Sequence, residues 1–198
     1  MRLASNAGYE EEADELAVRY QGRTFAEAHA DTDLHLFPVT PARILEVGAG
    51  TGRDAAGLAE RGHTVTAVEP TDGLRAHAQR LHPGLGITWI EDALPELAAV
   101  QGPYDCIHLS AVWMHLDAGE RRRGMRRLAD LLAPGGTILM TLRHGPVPEG
   151  RRMYEVSGAE TVELGAACGL ALLEQGAHED WRRRPGVHWT RVALRRDG

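Results

Sequence analysis

The sequence predicts an α/β fold of three layers, in which a seven-stranded, mostly parallel sheet with an antiparallel last strand lies between helices. Three observations predict it. From residue 43 onward, short β-branched runs alternate with helical stretches, the pattern of repeated strand–helix units around a parallel sheet. The first run ends in a glycine-rich turn at 48–52 that opens a helix. The last two runs are joined by the turn-rich segment 180–186 and no helix, so they should pair as a hairpin-like antiparallel edge.

Ahead of the sheet, residues 9–20 place Ala13, Leu16, Ala17 and Tyr20 at helical spacing with acids on the opposite face. Such a helix either covers a sheet edge or lies across the crevice at the carboxyl ends of the strands. Residues 1–40 are therefore expected to form a helical cap on a compact unit spanning 41–198. The strands are expected at 43–47, 64–69, 87–91, 105–110, 137–142, 170–178 and 187–194. A helix over 54–61 should stop at Gly62, a residue suited to the position just past a helix end. Thr71 or Asp72 can cap the next, which Pro83-Gly84 closes. Asp117 can cap a helix carrying Met125, Leu128 and Leu132 on one face, ended by Pro134-Gly135-Gly136. Ser157 can cap another, with Glu160 at the capping-box position and Gly169 as its stop.

Composition narrows the chemistry. The 198 residues include 22 basic side chains, all arginine, which excludes a lysine Schiff base or a P-loop lysine. The length suits one domain, and 43% hydrophobic with 25% charged residues is ordinary for a soluble globular chain. The first residues lack the apolar core of a signal peptide, and the longest apolar run, 164–173, is far short of the roughly 20 residues that span a bilayer. A cytoplasmic location without a membrane partner is expected. Cys106 and Cys168 stand at no metal-ligand spacing and read as small buried hydrophobes; no metal is expected. The net charge of −6 leaves no uniformly basic nucleic-acid footprint, so no nucleic-acid partner is expected. Arginines 121, 122, 123, 126 and 127 read as a solvated helix face.

Residues 44–52, Ile-Leu-Glu-Val-Gly-Ala-Gly-Thr-Gly, form a strand, a glycine turn and a helix start. Glycines there bend the chain tightly and let a ligand lie against main-chain amides. A dinucleotide fingerprint needs glycine at its first, third and sixth positions; here the sixth is Arg53, and glycine stands fifth. Glu46, just before the turn, would repel a pyrophosphate but can pair with an ammonium group, which favours a cationic or zwitterionic ligand. Glu69 ends the second strand, placed to accept hydrogen bonds from both ribose hydroxyls, and Asp92 follows the third, placed to accept from an exocyclic amine.

To these the chain adds the strand Tyr104-Asp105-Cys106-Ile107-His108-Leu109-Ser110 and, before the fifth strand, Leu131-Leu132-Ala133-Pro134-Gly135-Gly136. With them it resembles the class I S-adenosylmethionine-dependent methyltransferases over roughly residues 40–195. The resemblance implies a Rossmann-like methyltransferase fold, S-adenosylmethionine as cofactor and S-adenosylhomocysteine as product. It implies that Glu46, Gly48, Gly50 and Gly52 form the methionine-side pocket, Glu69 holds the ribose and Leu74 packs on the adenine. Asp92 with Ala93 would meet the adenine edge, and Ser110 with Ala111 the sulfonium end. In many relatives an N-terminal helix folds over the cofactor; Tyr9, Tyr20, Arg19 or Arg23 can fill that role here, arginine suiting the cofactor carboxylate.

A sulfonium methyl is already activated, so the protein must align an acceptor and exclude water; a base is needed only for an acceptor that arrives protonated. The acceptor crevice should be lined after the fourth and fifth strands, by Trp113-Met114-His115 and Arg143-His144-Gly145-Pro146. His115 or His144 can serve as general base, Arg143 can hold an anionic group, and Trp113 and Tyr9 can wall the acceptor. Trp181 and Trp189 read as packing and edge residues. Ser110-Ala111-Val112-Trp113 stands where amino-methylating enzymes of DNA bases carry Asn/Asp-Pro-Pro-aromatic, and neither cysteine follows a proline as cytosine-ring methylation requires. The expected activity is methyl transfer to an oxygen or nitrogen of a small molecule. Alternatives are a non-catalytic binder of the cofactor or its product, and an RNA or protein methyltransferase using the arginine-rich C-terminal half.

Overall fold

The computed structural model describes residues 3–20, 22–30 and 33–198. Its sheet has seven strands: β1 (Arg43–Val47), β2 (Thr64–Val68), β3 (Thr88–Ile90), β4 (Tyr104–Ser110), β5 (Leu132–His144), β6 (Leu170–Glu179) and β7 (His188–Arg196), in the order β3-β2-β1-β4-β5-β7-β6. The first five run parallel, and β7 inserts antiparallel to both β5 and β6. The α-helices are α1 (Ala13–Tyr20), α2 (Phe25–His29), α3 (Arg53–Glu60), α4 (Asp72–Leu81), α5 (Ala118–Leu131) and α6 (Gly158–Ala166). Among the described residues, no helix is long and apolar enough to cross a membrane.

Successive strand residues point to opposite faces, and both faces of this sheet are covered. Leu45, Ile107, Ile138 and Val192 join a core with Met125 and Leu128 of α5; Ile44, Cys106, Leu139 and Ala193 join another with Leu58 of α3 and Phe25 of α2. A smaller cluster of Ala13, Leu16 and Leu74 ties α1 to α4. This is the expected three-layer Rossmann-like methyltransferase architecture, and the expected antiparallel partner of the last strands is β7.

Several local expectations change. Pro134-Gly135-Gly136 does not form a turn that ends α5: extended backbone at Leu132 already begins β5, and the triplet lies where the register jumps from Tyr104–Leu132 to Cys106–Thr137. Thr71 takes the N-cap position of α4 without a side-chain cap bond; its Oγ1 instead accepts from Asn6 Nδ2 at 3.3 Å. Ser157 Oγ caps α6 by accepting from the Glu160 amide at 3.0 Å, but the Glu160 carboxylate turns away from the capping box to Arg121, 2.8 Å from Nη2. Arg121 is buried and also donates to the Leu116 carbonyl, while Arg127 donates to the carbonyls of Leu97 and Val100. The expected solvated arginine face is thus partly a set of internal struts. Asp117 does cap α5, in a reciprocal box with Glu120 at 2.8 Å each way.

Candidate active site

A cavity of about 600 Å³ opens at the carboxyl ends of β1, β2, β4 and β5, roofed by the N-terminal segment. That volume is ordinary for a small-molecule site. On one side it is lined by Glu46, Gly48, Gly50, Glu69, Leu74, Asp92, Ala93, Ser110 and Ala111, and from above by Tyr9, Arg19, Tyr20 and Arg23.

The glycine turn needs its glycines. Gly48 has φ +71°, and a Cβ there would lie 2.5 Å from Val112 Cγ2, so a larger residue would push the end of β4 out of the crevice. Gly52 also has a positive φ, but a Cβ on it would meet Trp89 at 2.7 Å. It faces β3 and starts α3 from the N-cap, so its expected place in the pocket wall is not observed.

Glu69 is buried, its Oε2 accepting from the Gly50 amide and its Oε1 from the Thr71 amide, both at 2.8 Å. Burial pushes its pKa up, and those amide bonds oppose the shift. The two amides leave further carboxylate lone pairs to point into the cavity. Asp92 accepts from the amides of Ala93 at 2.8 Å and Ala99 at 2.7 Å, which fixes its carboxylate at the cavity wall. Ala111 holds a left-handed φ of +58°, with its amide bonded to Thr141 Oγ1 at 3.1 Å, so the chain turns sharply where β4 meets the crevice. Glu46, expected to face an ammonium group, is almost fully buried, and its Oε2 accepts from His108 Nδ1 at 2.8 Å.

The roof is held by side chains from distant segments. Arg151 lies over the Tyr9 ring, 4.1 Å from its centroid, and donates to Glu12 Oε2 at 2.8 Å. His115 Nδ1 donates to the Arg152 carbonyl at 2.7 Å, which fixes the neutral tautomer, so Nε2 accepts from the Tyr9 hydroxyl at 3.0 Å. Burial pushes the His115 pKa down, and Arg151, Arg143 and Arg152 act in the same direction. The Tyr9 hydroxyl is pushed up, chiefly by burial.

The other side of the cavity is lined by Met114, His115, Arg143, Met153, His178, Trp181 and Trp189. Two expectations fail here. Trp113 does not wall the acceptor: it is fully buried in the core against α5, where the largest apolar side chain gains most from leaving water, and its neighbours Val112 and Met114 face the cavity instead. His144 is not in the cavity either. Strand alternation aims Arg143 inward and His144 away, where it bonds Thr190 Oγ1 at 2.9 Å and stacks on His188, ring centroids 4.7 Å apart. Trp181 and Trp189, read from sequence as packing residues, supply the aromatic wall. The Trp189 indole donates to Asp180 at 3.1 Å, and Arg23 lies over Trp181 at 5.1 Å.

The cavity is also lined by residues that sequence reasoning missed: His29, Asp33, Arg53, Asp54 and Arg151. Strand register alone sets Glu46 beside His108, and no local signal in either segment reports that pairing.

Comparisons with known proteins bear on the domain and the fold. A methyltransferase-domain family matches residues 44–136. A methyltransferase of Mycobacterium tuberculosis is 26% identical over 165 residues, covering 83% of this chain and 78% of that protein. A methyltransferase of Oceanobacillus iheyensis is 26% identical over 125 residues, 63% of this chain; the chain spans only 54% of that relative's length. Among solved structures, the Burkholderia thailandensis 1,6-didemethyltoxoflavin-N1-methyltransferase, with bound 1,6-didemethyltoxoflavin and S-adenosylhomocysteine, shares the fold at a TM-score of 0.73 and 23% identity, covering 95% of this chain and 85% of that one. Together the matched domain, the relatives and the shared fold support a class I S-adenosylmethionine-dependent methyltransferase.

Proposed function

We propose that this chain binds S-adenosylmethionine on the Glu69 side of the cavity and transfers its methyl group to an oxygen or nitrogen of a small, anionic acceptor held on the Arg143 side. The observation that carries this reading is the single continuous crevice between the two sides. The donor set fits the cofactor: a buried carboxylate pinned by two amides suits a ribose diol, the Leu74 side chain supplies an apolar face, and Asp92 stands where a purine amine would reach. Arg19 and Arg23 offer cations to the cofactor carboxylate from the roof. When bound, the cofactor supplies an electrophilic methyl group.

The chain's own residues do the rest. The roof, built by the N-terminal segment around Tyr9, excludes water through the Tyr9–Arg151–Glu12 contacts. Arg143 lines the cavity, and among the described residues the only hydrogen-bond contact of its guanidinium is Met153 Sδ at 4.0 Å. A guanidinium in that setting suits an acceptor carrying a carboxylate or phosphate. His115, neutral and with Nε2 toward the crevice, takes a proton when an acceptor hydroxyl or amine displaces Tyr9 from it. A solved protein of the same fold is an N1-methyltransferase with 1,6-didemethyltoxoflavin bound, which supports a small-molecule acceptor.

The test is calorimetric titration with S-adenosylmethionine and S-adenosylhomocysteine, followed by incubation with fractionated metabolite extracts. Binding of both, with S-adenosylhomocysteine released by an anionic fraction and KM raised tenfold or more in Arg143→Ala, is the expected result. Binding with silence in every fraction would point to a binder without acceptor chemistry.

A further inference from the structure

His29 and Asp54 line the same cavity beneath the glycine turn, and with the buried His108 they form a constellation that the methyl-transfer reading does not use. His29 of α2, Asp54 of α3 and His108 of β4 are all buried and offer ligand atoms within 4.8 Å of one another. Both imidazoles are held from behind by carboxylates: His29 Nδ1 lies 2.6 Å from Asp33 Oδ1, and His108 Nδ1 lies 2.8 Å from Glu46 Oε2. A carboxylate on the far nitrogen is how metal-binding histidines are oriented, and it directs both Nε2 atoms toward Asp54. His29 Nε2 is 3.2 Å from Asp54 Oδ1, and the two rings stand 5.4 Å apart. His108 Nε2, in a side chain with no exposure, meets no hydrogen-bond partner among the described residues.

The unpartnered Nε2 favours a ligand. Arg53 is bonded to both oxygens of Asp54 at 2.7 and 2.9 Å, and the Phe37 ring closes the group, 5.3 Å from His29 and 5.0 Å from His108. Among the described residues a hydrogen on His108 Nε2 meets no acceptor and a bare lone pair no donor, so either tautomer leaves a buried polar atom unsatisfied. A metal ion uses that lone pair and keeps both Nδ1–H bonds.

We propose that His29 Nε2, His108 Nε2 and Asp54 bind a divalent transition-metal ion of the zinc class, which pins the N-terminal cap to the sheet beneath the glycine turn. Two imidazoles and a carboxylate suit such an ion, with further positions open. Bonds of about 2.0–2.1 Å at tetrahedral angles need ligand atoms roughly 3.3 Å apart, so binding draws the rings inward. The role is structural, and it stands or falls independently of methyl transfer.

The experiment strips the full-length chain with a chelator and titrates it with zinc chloride against a chromophoric competitor. One tight equivalent and a thermal midpoint raised by several degrees are expected. His29→Asn and His108→Asn should each weaken binding by at least about a hundredfold, whereas a His144→Asn, His188→Asn double variant should bind as the parent does. Where the first two variants do not fold, X-ray absorption of the zinc-loaded parent decides: two imidazoles in the coordination shell support the site, and a shell without them overturns it. Absence of a stoichiometric equivalent in the folded parent would mean a proton-sharing network only. Tight binding retained in folded His29→Asn and His108→Asn would place the ion elsewhere, and either result overturns the proposal.

Discussion

Glu69 illustrates how one residue joins sequence and site. Its position at the end of the second strand makes it the proposed ribose ligand, and the structure adds two amide bonds that fix its carboxylate. Glu69→Ala should weaken S-adenosylmethionine binding by several-fold to about a hundredfold, through charge-assisted hydrogen bonds worth about 1.5–3 kcal/mol. Unchanged affinity in a folded variant, read by calorimetry, would remove the assignment. His115 carries a pH prediction. Its folded pKa lies below the ordinary 6.5 because burial and the neighbouring arginines disfavour its charge. The unfolded chain therefore binds the proton more readily, so the His115 contribution is complete above about pH 6.5 and is lost as pH falls through the depressed folded value. The thermal midpoint should drop between pH 7.5 and 5.5, and the drop should be shallower in His115→Gln; equal slopes would refute the coupling. The two candidate bases were indistinguishable by residue type, and strand alternation at Arg143 and His144 separates them.

At the scale of elements, α5 and α6 show where local rules stop. Ser157 and Asp117 cap their helices as read, because an N-cap bond depends only on residues three apart. Glu160 leaves its local role for Arg121, a partner 39 residues away, because a buried guanidinium must be satisfied. Arg121→Ala should destabilise the protein by about 1.5–3 kcal/mol in urea unfolding, having lost charge-assisted bonds to Glu160 and Leu116. Arg122→Ala, on an exposed part of the same helix, should be near neutral. Equal effects would return the arginines to a solvated face.

For the whole molecule, the cavity lies between the cap and the sheet, so ligand binding and cap docking are linked. S-adenosylhomocysteine at a hundred times its Kd should add about 2.7 kcal/mol of stability, with the thermal midpoint rising with ligand concentration. Hydrogen exchange should slow in 9–20 as well as in the glycine turn; protection confined to the turn would show that the cap does not close over the ligand.

The strand positions, the glycine turn and the acids at the ends of β2 and β3 were legible because each depends on short-range pattern: period, turn chemistry and spacing along one chain. So was the family resemblance, whose marks lie in those same segments. What the sequence by itself determined was therefore the scaffold, together with the proposed cofactor side of the crevice. The tertiary structure alone decided that Trp113 is core while Trp181 and Trp189 line the cavity, that His144 faces away, and that His29, Asp54 and His108 converge from three elements. Those outcomes depend on which strands pair in which register and on how burial is shared among competing side chains. Both are properties of contacts between residues far apart in the chain, which no local window contains.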